Sequence, residues 1–402
     1  MIDGCGREID HLRLSLTDHC NLACRYCTPG DAKPSGQMID PDFAFETVRW
    51  LVEEHGIRHV RLTGGEPLLY PHLLPLARRI RSLAGLHQMT LTTNGQALEK
   101  YAVPLRDAGL DRINVSLDTL KPDAFKHLTR GGRIDHTLRG VHAAVEAGLT
   151  PVKVNLVVQR GVNHDELCEI TEWGLKLGCV VRFLEVMPIG PLAHLLDQHL
   201  VPAAEILERL GERFHLTEIP RKNGSPAVDY VVRRRQSEPR PSGRGCGDEP
   251  RPSEPRPSGS GPGAASRPSD RRPSEPRPSG RGCADERHPP EPRPSGSDPS
   301  IEPRPSARGH AGHAQDPDIL GVIGLIASTT RPFCDVCRRL RLTAHGDLVP
   351  CVHDPRHYSI RPCWESRRLD AAAAGRILAT AIGAKLPEGP KSQSLIMLTL
   401  GG

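Results

Sequence analysis

Three cysteines near the amino terminus have the spacing of an iron–sulfur ligand loop. Cys20, Cys24 and Cys27 are separated by three and then two residues, and they directly follow the strand-like run at residues 11–17. A loop of this length can bring three thiolates to one side of a cubane cluster, whose irons are held by cysteine sulfur. Three protein ligands leave the fourth iron open, and we therefore expect another molecule to bind there.

This spacing resembles that of radical S-adenosylmethionine enzymes. In that superfamily the open iron binds the amino and carboxylate groups of S-adenosylmethionine, and the reduced cluster releases a 5′-deoxyadenosyl radical. The cofactor supplies the chemistry, and the protein places it and excludes solvent. Two alternatives stay open for the three cysteines alone: a zinc knuckle, or unrelated cysteines of the core.

A second cysteine group lies near the carboxyl terminus. Cys334 and Cys337 form a C-x-x-C pair, and Cys351 follows them. These residues again provide three thiolates without an obvious fourth, which favours a second open cluster in a chain that already has the first. The structural alternative is a zinc site completed by His353, with three cysteines and one histidine as ligands.

The segments that must position these cysteines alternate between strands and helices. Residues 11–17 alternate apolar and polar side chains, as in a half-buried strand, and Asp40-Pro41 predicts a helix start. Asn163 with Glu166 predicts a capping box at a later helix. Further strands are predicted at residues 58–63, 88–93, 111–117, 152–158 and 180–187. Six strands alternating with helices predict a parallel sheet with right-handed crossovers.

Several motifs fall at the carboxyl ends of these predicted strands. They are the first cysteine triplet, Gly64-Gly65-Glu66-Pro67, Thr92-Thr93-Asn94-Gly95, Ser116 and Met187. Functional groups of parallel α/β proteins collect at this end of the sheet. The sequence therefore predicts that these motifs share one cavity.

One long segment has a composition that cannot form a core. Of 402 residues only 37% are hydrophobic and 3% aromatic, and residues 236–315 hold 18 of the 39 prolines and six copies of Glu-Pro-Arg-Pro-Ser. Ordering ~80 such residues would cost on the order of 100 kcal/mol, with almost no apolar surface to offset it. We therefore predict a disordered insertion. Lengthening a ~5-residue loop to ~80 costs only about 2.4 kcal/mol, which the rest of the fold can tolerate.

Charge and hydropathy narrow the choice of partners and compartment. A net charge of +5 does not indicate a nucleic-acid-binding protein. We find no apolar run of about 18 residues and no signal peptide, so we predict no membrane span and a cytoplasmic protein.

Taken together, the two cysteine groups, the Gly-Gly-Glu-Pro motif and the final Gly401-Gly402 resemble the GTP 3′,8-cyclase family of molybdenum cofactor biosynthesis. The resemblance runs from about residue 6 to 235 and from about 316 to the end. It implies an α/β fold, an incomplete (β/α)6 TIM-type barrel with a C-terminal extension that carries a second iron–sulfur cluster. The predicted boundaries are 1–211 for the barrel, 212–235 for the start of the extension, 236–315 for the insertion, and 316–402 for the rest of the extension with its Gly-Gly tail.

The resemblance also implies roles for individual residues. Two [4Fe-4S] clusters would be held by Cys20, Cys24 and Cys27, and by Cys334, Cys337 and Cys351. S-adenosyl-L-methionine would contact Tyr26, Gly65, Ser116 and Met187. GTP would contact Arg13, Arg61, Thr92, Lys153, Arg339 and Arg341, where guanidinium forks suit phosphate oxygens. Catalysis would depend on Arg13, Lys153, Gly401 and Gly402.

The implied activity is the conversion of GTP to 3′,8-cyclo-7,8-dihydro-GTP. Its implied partners are an electron donor such as a flavodoxin or ferredoxin and the next enzyme of the molybdopterin pathway, with a homodimer as one oligomeric option. A peptide-modifying radical enzyme with an auxiliary cluster and a non-catalytic zinc scaffold are the alternatives. Two positions depart from the family pattern: His59 replaces the usual lysine, and Arg338 replaces an asparagine.

Overall fold

Six parallel strands in sequence order form the centre of the sheet. They are β1 (His11–Ser15), β2 (His59–Thr63), β3 (Gln88–Thr93), β4 (Arg112–Ser116), β5 (Lys153–Val158) and β6 (Val180–Glu185). All six strands predicted from the sequence are present in this computed structural model, which describes residues 1–28, 35–221, 224–235 and 318–388. The α/β barrel-type order of the prediction is confirmed.

In the part of the chain that the structure describes, six helices lie between these strands, and three more come after β6. The helices are α1 (Pro41–Glu53), α2 (Leu73–Arg81), α3 (Leu98–Asp107), α4 (Pro122–Thr129), α5 (Ile134–Glu146), α6 (Leu167–Lys176), α7 (Leu196–His199), α8 (Ala203–Gly211) and α9 (Ala371–Gly383). None of the helices in the described ranges combines the length and apolar composition needed to cross a bilayer.

The C-terminal extension adds strands at both ends of the six-stranded row. These are β7 (Phe214–Ile219), β8 (Val228–Arg234), β9 (Ile319–Ile326), β10 (Arg339–Leu342), β11 (Asp347–Val349) and β12 (Tyr358–Ser359), while β13 (Trp364–Glu365) and β14 (Arg368–Leu369) pair separately. The sheet order is β12-β11-β10-β1-β2-β3-β4-β5-β6-β9-β8-β7. Because β10 pairs parallel to β1 and β9 parallel to β6, the extension continues the barrel strands on both sides.

Successive side chains along β1 point alternately to the core and to the cavity. Leu12, Leu14 and Leu16 are fully buried in one apolar cluster with Phe43 and Leu51 of α1. Burying a leucine side chain stabilises the fold by about 1.5–3 kcal/mol, so these contacts hold the strand against the helix. The intervening side chains face the other way, and that face carries the arginines described below.

The two predicted helix starts have different outcomes. Asp40 caps α1, and its carboxylate accepts a hydrogen bond from Phe43 N at 2.8 Å, as predicted. The capping box at Asn163 and Glu166 is wrong. The Glu166 carboxylate accepts hydrogen bonds from the Thr119 hydroxyl, and the Asn163 amide donates to backbone carbonyls. Both side chains tie down the loop after β4 instead of the start of α6.

Two other predictions lie outside the described residues. They are the disorder of residues 236–315 and the placement of the tail at Gly401-Gly402. The domain boundaries likewise stay predictions.

Candidate active site

The loop that carries the first cysteine triplet is fixed by backbone hydrogen bonds. Arg25 N donates to the carbonyl of Leu128 near the end of α4 at 2.9 Å, and Cys27 N donates to the carbonyl of Cys24 at 2.9 Å. The first bond anchors the loop to the barrel, and the second closes a turn between two of the cysteines. Cys24 therefore has an ordered backbone on its carboxyl side.

Two glycines after β2 allow the chain to lie directly against the segment before Cys20. Gly65 N donates to the carbonyl of Thr17 at 2.6 Å. A Cβ on Gly65 would lie 2.3 Å from the carbonyl oxygen of His19, and a Cβ on Gly64 would lie 2.5 Å from that of Thr17. Packing against the cysteine loop therefore requires glycine here, apart from any contact with a cofactor.

Glu66 joins the ends of β2 and β3 beside the first triplet. Its carboxylate accepts hydrogen bonds from Thr93 Oγ1 at 2.7 Å and from Asn94 N at 2.7 Å. Burial raises the pKa of Glu66 to about 7, and these donors act against that rise. Asn94, held in this way, places its amide nitrogen 3.8 Å from the sulfur of Cys20.

A buried tyrosine–aspartate pair closes the other side of the first triplet. The hydroxyl of Tyr26 donates to Asp118 Oδ2 at 2.8 Å, and Val157 N donates to Asp118 Oδ1 at 2.9 Å. Burial raises the pKa of Asp118 to about 6, although both donors favour the carboxylate. Tyr26 is thereby oriented by two neighbouring strands, β4 and β5.

The thiols of the first triplet lie in an environment that by itself disfavours thiolates. Burial raises the pKa of Cys20 to about 11 and that of Cys27 to about 12. Burial also raises the pKa of Cys24 well above its usual value, and the charge of Asp118 adds to that rise. Such thiols bind as thiolates only when a strongly cationic group replaces their protons.

The second cysteine triplet is assembled by a hairpin and a short helical turn. Cys337 precedes β10 and Cys351 follows β11, and these strands pair antiparallel, so the two cysteines lie at the same end of the hairpin. Cys334 opens a 3₁₀ turn in which Cys337 N donates to the carbonyl of Cys334 at 3.3 Å. Arg7, from the amino-terminal segment, donates to that same carbonyl at 2.5 Å.

A buried lysine lies against this second triplet. Lys385 Nζ is 3.7 Å from the sulfur of Cys337 and donates to the carbonyls of Arg339 at 3.0 Å and Pro350 at 2.5 Å. Burial alone would raise the pKa of Cys337, but the charges of Lys385 and Arg339 outweigh it, and the pKa is lowered. Cys337 therefore favours the thiolate, whereas burial raises the pKa of Cys351 in the same triplet.

Both triplets open into one cavity of about 350 Å³. Nearly all of the residues predicted from the sequence line it: Arg13, Cys20, Cys24, Tyr26, Cys27, Arg61, Gly65, Thr92, Ser116, Met187, Cys334, Cys337, Arg339, Arg341 and Cys351. Lys153 lies just beyond the lining, buried at the start of β5. The prediction of a single cavity is confirmed for these residues, and Gly401 and Gly402 lie outside the part of the chain that the structure describes.

A row of neighbouring strand positions concentrates positive charge along and beside the wall of this cavity. Arg341, Arg13, Arg61, Thr90 and Arg112 occupy successive paired positions across β10, β1, β2, β3 and β4. Burial lowers the pKa of Arg61 to about 9, and repulsion from Arg112 and further arginines adds to it. Arginine rarely loses its proton, so the shift indicates that like charges are held together at a cost.

Lys153 and Arg182 continue this cationic surface onto β5 and β6. Burial lowers the pKa of Lys153 to about 6, with repulsion from Arg182 and Arg112 adding to the effect. Asp229 of β8 acts in the opposite direction on Lys153. An anionic ligand would relieve this repulsion, and several fixed cations are what a polyphosphate needs.

Sequence reasoning missed some residues of this surface. Arg112 and Arg182 each lie inside a strand pattern, the same signal that identified Arg13 and Arg61, so that signal was present. Lys385 follows an alanine-rich helix and has no local motif. Only the tertiary structure brings Lys385 to the second triplet.

The sulfur geometry does not fit a single metal ion. Sulfurs around a tetrahedral zinc ion lie about 3.8 Å apart, given a Zn–S distance of ~2.3 Å. Among the described residues, only Asp10, His11 and His59 bring three ligand atoms within 4.8 Å of one another. Neither triplet does so, with or without His353, so neither presents the ready ligand set of a tetrahedral zinc ion.

The Asp10 group itself is better explained as a buried polar cluster. The rings of His11 and His59 stack with centroids 4.2 Å apart and planes 20° apart, so their in-plane lone pairs run nearly parallel and do not converge. Asp10 already binds Arg338 at 2.5 Å. His59 and Arg338, the two departures from the family pattern, thus meet through this cluster.

Comparisons with known proteins identify the family of this chain. The Radical SAM superfamily model matches residues 14–174, and the Molybdenum Cofactor Synthesis C model matches residues 299–390. The chain is similar to proteins named GTP 3′,8-cyclase from three bacteria. The identity is 32% with that of Heliobacterium modesticaldum over all of both chains, and 34% with that of Streptomyces coelicolor over 93% of this chain and 86% of the relative. It is 33% with that of Paenarthrobacter nicotinovorans over 90% and 82%.

A solved structure of SuiB from Streptococcus suis, bound to its precursor peptide SuiA, has 18% identity and a TM-score of 0.42 over 51% of this chain and 45% of that one. That likeness is too low to support an argument. The relatives that match along nearly the whole chain show its family. The chain belongs to the GTP 3′,8-cyclase family of the radical S-adenosylmethionine superfamily.

Proposed function

We propose that this protein converts GTP to 3′,8-cyclo-7,8-dihydro-GTP, the first step of molybdopterin biosynthesis. The observation that carries the proposal is the meeting of two cysteine triplets and four arginines in the lining of one cavity, with further cations beside it. The four are Arg13, Arg61, Arg339 and Arg341. Two clusters without a polyphosphate site, or a polyphosphate site with one cluster, would favour other chemistry.

The first triplet would hold the cluster that binds S-adenosylmethionine. Cys20, Cys24 and Cys27 would be its ligands. Tyr26, Gly65, Ser116 and Met187, which line the same cavity, would contact the cosubstrate. When bound, this cluster and S-adenosylmethionine supply the radical that removes hydrogen from C3′ of the GTP ribose.

The second triplet and the cationic surface would hold GTP at two points. Cys334, Cys337 and Cys351 would hold a second cluster, which would anchor the guanine base. The triphosphate would lie among Arg13, Arg61, Thr92, Lys153, Arg339 and Arg341. We add Arg112 and Arg182 to this set, because their charges act on Lys153 and Arg61 in the same group.

The contribution of these residues to catalysis is positional. Closing a bond between C3′ of the ribose and C8 of guanine requires both atoms to be held in one geometry, and anchoring at the base and at the phosphates restricts the nucleotide between them. Orientation of this kind can supply a large part of a rate enhancement. Arg13 and Lys153 would act on phosphate, Arg13 as a half-buried side chain of the cavity lining and Lys153 from just beyond it.

Gly401 and Gly402 complete the proposed catalytic set. Glycine allows a backbone to approach a ligand more closely than any other residue. Removing both glycines is expected to lower single-turnover cyclisation by at least about tenfold, roughly 1.4 kcal/mol, without changing iron content. Equal rates for truncated and full-length protein would exclude the tail from the reaction.

The proposal includes a cytoplasmic location, an electron donor such as a flavodoxin or ferredoxin, and delivery of product to the next enzyme of the pathway. A homodimer is compatible with it. The chemistry requires an electron from some donor to reduce the cluster, but it does not depend on the location, the next enzyme or the oligomeric state.

The experiment that tests the function combines metal analysis with product analysis. Protein purified and reconstituted without oxygen should contain about eight irons per chain and should form cyclised GTP and 5′-deoxyadenosine when reduced by dithionite. About two zinc ions and no iron would indicate a zinc scaffold. Eight irons with cleavage of S-adenosylmethionine but no reaction of GTP would indicate another substrate, such as a peptide.

A further inference from the structure

Lys385 is a buried cation without a carboxylate partner. Its side chain lies at the second triplet, and the residue is only 4% exposed. Within the described part of the chain, no carboxylate lies within ion-pair distance of its Nζ, whose neighbours are two carbonyl oxygens and the sulfur of Cys337. A buried charge is costly unless an anion compensates it, so the thiolate side of the second triplet is its natural counter-charge.

The position of Lys385 is fixed from several directions. Arg7 donates to the carbonyl of the next residue, Leu386, at 2.9 Å, and Arg356 donates to the carbonyl of the preceding residue, Ala384, at 3.0 Å. Lys385 N itself donates to the carbonyl of Ile382 at the end of α9. The backbone on both sides of Lys385 is therefore anchored, and the carbonyls of Arg339 and Pro350 hold its ammonium group beside the sulfur.

Among the residues that the structure describes, no lysine or arginine is hydrogen-bonded to a sulfur of the first triplet as Lys385 is to Cys337. The hydrogen-bond donors to the sulfur of Cys20 are Leu22 N and the neutral amide of Asn94. The charges that act on Cys20 and Cys24 from outside the triplet are the carboxylates of Glu66 and Asp118. The two sets of ligands thus differ in the sign of their nearest charges.

A nearby positive charge stabilises the more negative, reduced state of an iron–sulfur cluster. Net charge and hydrogen bonds to sulfur are among the factors that set the potential of such clusters. We propose that Lys385 is a positioning residue that raises the reduction potential of the cluster on Cys334, Cys337 and Cys351 relative to that on the first triplet. This inference rests on the proposed function, because it requires a cluster at the second site.

The test isolates the second cluster in the full-length chain. Cys20, Cys24 and Cys27 are replaced by alanine, and the protein is reconstituted with iron and sulfide without oxygen. About four irons per chain should remain. The reduction potential is then measured by dithionite titration in the presence of redox mediators, followed by electron paramagnetic resonance, with and without a second change at Lys385.

Three substitutions separate charge from packing. Lys385→Gln keeps hydrogen-bond donors for the carbonyls, Lys385→Met keeps length and apolar volume, and Lys385→Arg keeps the charge. The two uncharged variants should shift the potential of the second cluster to more negative values, and the arginine variant should stay near the parent. Lys176→Met, which removes an exposed charge from α6, serves as the matched control and should leave the potential unchanged.

A converse background checks the site of action. With Cys334, Cys337 and Cys351 replaced by alanine, Lys385→Gln should leave the potential of the first cluster unchanged.

Three results would overturn the inference. One is an unchanged potential in Lys385→Gln protein that holds its second cluster. Another is loss of the cluster in all three Lys385 variants, arginine included, which would assign Lys385 to packing alone. A third is absence of iron from the first-triplet alanine background, which would also remove the proposed function. In the first two cases the proposed function survives.

Discussion

The two cysteine triplets offer the same three ligands to the same cavity, yet their surroundings differ in charge. Burial raises the pKa of all three thiols around Cys24, where carboxylates are the nearest charges, whereas Lys385 and Arg339 lower the pKa of Cys337. Ligand identity is therefore not what distinguishes two clusters within one protein. The charges behind the ligands do so, and those charges come from elements far apart in the sequence.

Among changes to the first triplet and its surroundings, the first region, Cys24→Ala should have the largest effect. It should lower cleavage of S-adenosylmethionine by at least about a thousandfold, about 4 kcal/mol, because a site with two thiolates cannot hold the cluster. The second triplet does not share its backbone, so about four irons should remain. The measurement is 5′-deoxyadenosine formation under dithionite. Production at the parent rate would remove the radical assignment.

The matching change to the second triplet and its surroundings, the second region, is Cys337→Ala. Cyclised GTP should disappear, whereas slow, uncoupled cleavage of S-adenosylmethionine should continue, because the first triplet is intact. Product analysis by mass spectrometry together with 5′-deoxyadenosine assay separates these outcomes. Cyclisation at the parent rate would mean that the second triplet is structural and that the two regions do not differ in role.

A backbone change should disturb the first region only. In Gly65→Ala, the new Cβ would lie 2.3 Å from the carbonyl of His19, so the cysteine loop must move. We expect a loss of about 1–3 kcal/mol in unfolding free energy and poor retention of the first cluster. Gly211→Ala is the matched control, because a Cβ there meets nothing within 4 Å. Equal stability and iron content in both variants would contradict the packing argument.

The cationic surface predicts a smaller, thermodynamic effect. The pKa of Lys153 is lowered to about 6, so this amine is mostly neutral at pH 7.5 in the empty site. A bound triphosphate would raise that pKa, and the protein should then take up as much as about one proton from solvent. Calorimetric titration with GTP in buffers of different ionisation enthalpy measures this uptake. It should be lost in Lys153→Met, and equal uptake in the two proteins would exclude Lys153 from the effect.

The smallest effect is expected from deleting residues 236–315. Strands β8 and β9, on either side of the segment, pair antiparallel, and Arg234 N donates to the carbonyl of Asp318 at 3.0 Å. A short glycine–serine link from Arg235 to Asp316 can therefore replace the segment. Iron content and cyclisation should stay within about twofold of the parent. Loss of both cluster regions would mean that the repeats stabilise the fold.

The sequence was sufficient for those parts of the fold that depend on local patterns. The alternation at residues 11–17 and the Asp40 cap involve neighbours in the chain, and both were predicted correctly. Asn163 and Glu166 also have a local pattern, but distant backbone groups after β4 compete for their side chains, and the prediction failed. The place of β10 beside β1 is set by tertiary pairing, for which a single sequence has no signal.

In the site, too, some residues could be predicted from the local sequence, whereas others depend on the tertiary structure. Arg13 and Arg61 could be predicted because a charged residue inside a strand pattern is unusual, and Arg112 and Arg182 could have been found by the same reasoning. Lys385 could not, because nothing near it in the chain is a ligand or a motif. Its relevance arises only where α9, the β10–β11 hairpin and the amino-terminal segment meet.

The pairing of β9 with β6 and of β10 with β1 has a consequence for how the chain could be divided. Residues that follow the long segment cover both ends of the six-stranded row, because β10 pairs with β1 and β9 pairs with β6. Residues 1–235, made alone, would present three uncovered strand edges, on β1, β6 and β8, and uncovered edges are sites of aggregation. Co-expressed with residues 318–402, they should assemble into one particle, because each piece supplies the hydrogen-bonding partners that the other lacks. The two cysteine triplets would then reside on separate polypeptides and meet only in the assembled pair.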